Sequence, residues 1–90
     1  MALHPNAVIG NRATIYHRVT IGGYSHDKMN VPTIGDDVYF GVGSTVLGRV
    51  KIGDGTRVGA GAILVGDITI GANARIGAGA VVDHDIPARL

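Results

Sequence analysis

Along this chain an aliphatic or aromatic residue returns at every sixth position. Leu3, Ile9, Ile15 and Ile21 form one series, and Ile34, Phe40, Val46, Ile52, Val58, Leu64, Ile70, Ile76 and Val82 form a second. Only the step from Ile21 to Ile34 breaks the count. A period of six cannot hold one face of a helix with 3.6 residues per turn. Glycine follows most of the repeated residues, as in "IGNRAT", "IGDGTR", "VGAGAI" and "IGANAR", and inside a helix each would cost about 1 kcal/mol. Short strands separated by tight corners satisfy both features, because glycine accepts the positive φ that such corners need. Three sixes then close one triangular coil, and stacked coils pair their strands in parallel about 4.8 Å apart. The pattern predicts an all-β fold, one domain over residues 1–90, with the repeated residues stacked as internal ladders.

The interruption spans thirteen residues, from Ile21 to Ile34, one six plus seven extra. If the extra residues are extruded at a corner, as a loop over about 23–33, the coil phase survives. Ile15, Phe40, Val58 and Ile76 then form one column, and His17, Val42, Ala60 and Ala78 another. Gly43, Gly61 and Gly79 run beside the second, within "GVGS", "GAGA" and "GAGA", so a strip of nearly bare backbone ends near His17. A second phase, in which the loop replaces a whole strand, sets Asp36 and Asp54 over His17 instead. The first phase also aligns Thr20, Thr45, Ile63 and Val81 on an outer face, and apolar residues there favour burial against another subunit.

Composition narrows the function. Eight basic and seven acidic residues give a net charge near +1 with no cationic stripe, which argues against nucleic acid as a partner. There is no cysteine, which removes disulfides and thiolate metal sites. No apolar run approaches the roughly 20 residues of a membrane helix and no leader pattern precedes the repeats, so no membrane partner and a cytoplasmic location are expected. A stack of 90 residues hides a modest share of its surface, and a threefold assembly would supply the rest. The polar side chains suited to proton transfer are four histidines: His4, His17, His26 and His84.

The repeats resemble the hexapeptide-repeat family, from about Leu3 to Pro87. "HPNAVIGNRATIYHRVTIGG", "PTIGDDVYFGVGSTVLGRVKIG" and "IGAGAVVDHDIP" look most like serine acetyltransferases and the related O-acetyltransferases of polysaccharide gene clusters. That resemblance implies a left-handed parallel β-helix with one extruded loop, and acetyl transfer from acetyl-CoA to a small serine-like or sugar hydroxyl. It also implies a homotrimer with sites between neighbouring subunits and no metal. The bare strip then becomes a slot for the pantetheine arm, lined by Gly43, Ser44, Gly61, Ala62, Ala78 and Gly79, with His84 towards the CoA phosphates. A histidine near neutrality suits removal of the hydroxyl proton, and His17 and His26 are the candidate catalytic residues, the loop of His26 also walling the acceptor site. The chain departs from the pattern in three ways. On one alignment the usual residue at His17 is Gln and the Asp-His coil below it has no counterpart. The Gly-x-Pro-Ala-Lys/Arg segment is not matched at "IPARL", nor is the helical domain of full serine acetyltransferases. The alternative readings are a catalytically inactive, truncated hexapeptide trimer and, on the shared fold, a γ-class carbonic anhydrase. The latter needs three zinc-binding histidines, and no two histidines here are five apart.

Overall fold

A computed structural model describes residues 2–23 and 31–89. Thirteen strands of two or three residues follow one another around a triangular stack. The first coil holds β1 (Ala2–Leu3), β2 (Val8–Ile9) and β3 (Thr14–Ile15). The second holds β4 (Thr20–Gly22), β5 (Thr33–Ile34) and β6 (Tyr39–Phe40). The third holds β7 (Thr45–Leu47), β8 (Val50–Ile52) and β9 (Arg57–Val58), and the fourth β10 (Ile63–Val65), β11 (Ile68–Ile70) and β12 (Arg75–Ile76). Strand β13 (Val81–Val82) opens a fifth coil, which Ile86 continues by a parallel bridge to Ile70.

Every third strand pairs in parallel, giving three sheets in the orders β1-β4-β7-β10-β13, β2-β5-β8-β11 and β3-β6-β9-β12. These are called below the β1, β2 and β3 faces. The winding is a left-handed parallel β-helix, 35 × 25 × 25 Å in extent. Alternation along each short strand sends the repeated aliphatic residue inward and its neighbours outward. Ile21, Val46, Leu64 and Val82 form the inner ladder of the β1 face, Ile34, Ile52 and Ile70 that of the β2 face, and Phe40, Val58 and Ile76 that of the β3 face, all buried. Smaller residues fill the inner corners, among them Ser44, Thr56, Ala62 and Ala74.

The register settles the coil phase. Ile15 pairs with Phe40, Phe40 with Val58 and Val58 with Ile76, so the seven extra residues leave at a corner, between β4 and β5. Asp36 and Asp54 stand elsewhere, at the corner between the β2 and β3 faces. There the Asp36 carboxylate accepts the Asn11 N–H at 2.7 Å, and the Asp54 carboxylate accepts the Asp36 N–H at 2.7 Å. Gly35 makes room for this link, since a Cβ on it would collide with the Asp54 carboxylate.

Candidate functional site

The corner between the β3 and β1 faces carries the chain's most distinctive surface. Backbone hydrogen bonds fix its rungs: Gly43 N–H donates to the His17 carbonyl at 3.1 Å, Gly61 N–H to Val42 at 2.8 Å and Gly79 N–H to Ala60 at 2.9 Å. His17, Val42, Ala60 and Ala78 therefore succeed one another down the stack, flanked on one side by Arg18, Gly43, Gly61 and Gly79 and on the other by Tyr16, Gly41, Gly59 and Gly77. Nine residues in the three lower rungs contain no side chain larger than valine. The top rung is Tyr16, His17 and Arg18, all exposed.

Glycine in the Gly43 column is required by conformation and not by space. Its members have φ of 72, 70 and 74°, the left-handed region that L side chains disfavour, while a Cβ on any of them would meet nothing within 4 Å. Ala60 and Ala78 are exposed beside them. The strip is thus an open, shallow track about three rungs long, roughly 14 Å at the spacing of paired strands.

Two of the residues expected to line it do not. Ser44 and Ala62 are fully buried, because the residue after each left-handed glycine turns into the prism to start the next face; the track keeps Gly43, Gly61, Ala78 and Gly79. The Ser44 hydroxyl finds no hydrogen-bond partner there. His84 lies beyond β13, at the corner between the β1 and β2 faces, where its Nδ1 is 3.3 Å from the exposed Asp83 carboxylate. The inserted loop leaves from that same corner. His26, with Tyr24, Asp27, Lys28 and Asn30, lies outside the described residues. Within one subunit, His17 and the base of the loop accordingly flank opposite edges of the β1 face.

The β1 face between those edges is sparsely polar. Thr20, Thr45, Ile63 and Val81 stand in register along it, with Ile63 38% and Val81 63% exposed. On the β3 face, Tyr16 packs edge-on against Tyr39 with ring centroids 5.3 Å apart, and the Arg57 guanidinium lies 5.6 Å from the Tyr39 centroid. The Tyr16 hydroxyl and partial desolvation raise the Tyr39 pKa above the ordinary tyrosine value. Arg18 was not singled out from sequence. Its signal was positional: it stands where the three coils below carry glycine.

Among the described residues no three His, Cys, Asp or Glu side chains converge to hold a metal ion, and no helix is long and apolar enough to cross a membrane.

Comparison with known proteins gives consistent results. The family described as bacterial transferase hexapeptide (six repeats) matches residues 32–66 and 52–84. Serine acetyltransferase of Staphylococcus epidermidis is 47% identical over 45 residues, 49% of this chain and 21% of that protein. The Mycobacterium tuberculosis serine acetyltransferase is 47% identical over 47 residues, 51% of this chain and 20% of its own. The chain spans about a fifth of the length of these relatives. Among solved structures, a point mutant of perosamine N-acetyltransferase from Caulobacter crescentus, in complex with CoA and GDP-perosamine, aligns with a TM-score of 0.66 at 26% identity, covering 99% of this chain and 48% of that one. Serine acetyltransferase from Neisseria gonorrhoeae aligns with a TM-score of 0.59 at 32% identity, covering 96% and 35%.

Proposed function

Because this chain belongs to the bacterial transferase hexapeptide family, we propose that it transfers the acetyl group of acetyl-CoA to the hydroxyl of a small serine-like or sugar acceptor. The observation that carries this reading is the register at one corner, which sets His17 at the head of a three-rung track with almost no side chains. A thin, flexible pantetheine arm fits such a track, its amides able to bond exposed backbone. Gly43, Gly61, Ala78 and Gly79 are its proposed contacts. Relatives named serine acetyltransferase and a structural neighbour bound to CoA support the donor.

The chemistry then falls to the top rung. His17, as neutral imidazole, takes the proton of the acceptor hydroxyl while that oxygen attacks the thioester carbon. The new C–O bond forms as the C–S bond breaks, and His17 returns the proton to the departing thiolate. A base so placed is worth about 10²–10⁴ in rate.

Assembly completes the site in this proposal. The loop bearing His26, and also His84, start from the far edge of the β1 face, so they approach the track most directly from a neighbouring copy. Packing the partly apolar β1 face of one subunit against the next brings those two corners together around a threefold axis. We therefore propose a homotrimer with three sites between subunits, His26 walling each acceptor pocket and His84 lying towards the CoA phosphates. Its proposed place of action is the cytoplasm. Calorimetric titration of the 90-residue chain with CoA, followed by thiol-release assays with acetyl-CoA and paired acceptors, tests the reading. It fails if CoA does not bind.

A further inference from the structure

Among the described residues, four other than glycine hold a left-handed backbone: Arg12 at φ 59°, Arg18 at 62°, Asp37 at 58° and Asn73 at 59°. Three of them have a local reason. Asp37 and Asn73 are of the types whose short polar side chains tolerate this region. Arg12 is tied to Asp37 by two hydrogen bonds, of 2.7 and 3.0 Å. Arg18 has neither excuse. Among the described residues no carboxylate pairs with its guanidinium, its side chain is exposed, and the three positions below it in the same column are glycines with the same backbone. Glycine would satisfy the turn at Arg18 without strain. Strain that the fold does not require, held beside a candidate reacting group, points to a task for the side chain.

The position limits that task. Arg18 follows His17 directly, so their Cα atoms are about 3.8 Å apart. On the acetyl-transfer reading, on which this inference rests, the donor presents a neutral thioester at this rung. The phosphates of CoA lie at the other end of a track roughly 14 Å long. An anion within reach of Arg18 therefore belongs to the acceptor. A planar guanidinium fork grips carboxylate or phosphate through two parallel N–H donors, and the same grip would present a nearby hydroxyl to His17.

We propose that Arg18 is the residue that selects the acceptor, binding an oxyanion on it, so that the enzyme acetylates a hydroxy acid or hydroxy amino acid in preference to a neutral alcohol or sugar. Its guanidinium touches the substrate and takes no part in the proton transfer.

Arg18→Gly is the informative variant, because it installs the residue of the three lower coils and should fold at least as stably as the parent. The measurement compares kcat/KM for L-serine against L-serinamide, and for glucuronate against methyl glucoside, with acetyl-CoA saturating. The parent should prefer one charged member of a pair over its neutral partner by about 10-fold or more, the strength of a charge-assisted hydrogen bond. Arg18→Gly should bring that ratio close to one, chiefly through KM, and Arg18→Lys should restore part of it. A parent without preference in either pair, or a preference that survives Arg18→Gly, overturns the assignment. An amide-shift titration of the CoA-loaded protein with L-serine, glycerate and inorganic phosphate separates this from failure of the acetyl-transfer reading. If turnover is absent, shifts at Gly43 that vanish in Arg18→Gly still uphold the anion site. Shifts that are absent or unaltered reject it, and a response to phosphate alone rejects the carboxylate acceptor.

Discussion

The backbone N–H of Gly43 donates to the carbonyl oxygen of His17 at 3.1 Å, and that bond sets His17 over Val42, Ala60 and Ala78, beside the column of glycines. The seven-residue excess before Ile34 therefore does not disturb the stack; it leaves from the opposite edge of the β1 face. If His17 is the base, His17→Gln should lower acetyl transfer by roughly 10²-fold or more with CoA binding nearly unchanged. His26→Ala should cost less. Equal turnover of His17→Gln and the parent would remove His17 from the mechanism.

Blocking the track tests the donor site separately. Ala60 and Ala78 are exposed and point away from the core, so Ala60→Trp or Ala78→Trp should leave the coil intact while filling the path of the pantetheine arm. Calorimetry should register at least a tenfold loss of CoA affinity, about 1.4 kcal/mol, with unchanged circular dichroism. Unaltered affinity in both variants would refute the track.

Assembly is read by light scattering. Ile63 and Val81 are directly opposed on neighbouring strands, and a double change to Asp places like charges on the face proposed to be buried, which opposes association. The parent should scatter as three copies and the double variant as one. A monomeric parent at micromolar concentration would contradict the proposal.

The core makes its own forecast through Ser44. Its hydroxyl is fully buried without a partner, a state that costs about 1–3 kcal/mol relative to an apolar group of similar shape. Ser44→Ala should raise the denaturation midpoint, whereas Phe40→Ala, which empties the largest fully buried side chain, should lower stability by about 3–5 kcal/mol. Urea unfolding of the two variants distinguishes these signs.

Tyr39 supplies a pH dependence. The neighbouring Tyr16 hydroxyl, with some desolvation, holds its proton and raises its pKa above the ordinary tyrosine value. The folded state therefore binds this proton more tightly than the unfolded chain. The associated stability is complete below the unfolded tyrosine pKa of about 10 and is lost as pH rises through the folded value. Tyr16→Phe should move one tyrosinate transition in the ultraviolet back towards the ordinary value.

Most of the fold was legible in the sequence because each six-residue unit is a local statement: an inward aliphatic residue, a glycine, a corner. The column Phe40, Val58 and Ile76 followed from counting alone. Counting did not distinguish the two phases across the insertion, because either gives a closed coil; the β3–β6 pairing decides it. The slot that the family resemblance implied also took in Ser44 and Ala62, although the residue after a left-handed glycine turns inward. Arg18 was passed over because only the folded register sets it against Gly43, Gly61 and Gly79.

The most direct test of the central claim is a crystal structure of the 90-residue chain with CoA bound. The thiol should lie at the rung of His17, within about 4 Å of its ring, with the pantetheine arm running down past Ala60 and Ala78. A thiol seated at another corner, or an arm that avoids the glycine column, would contradict the account.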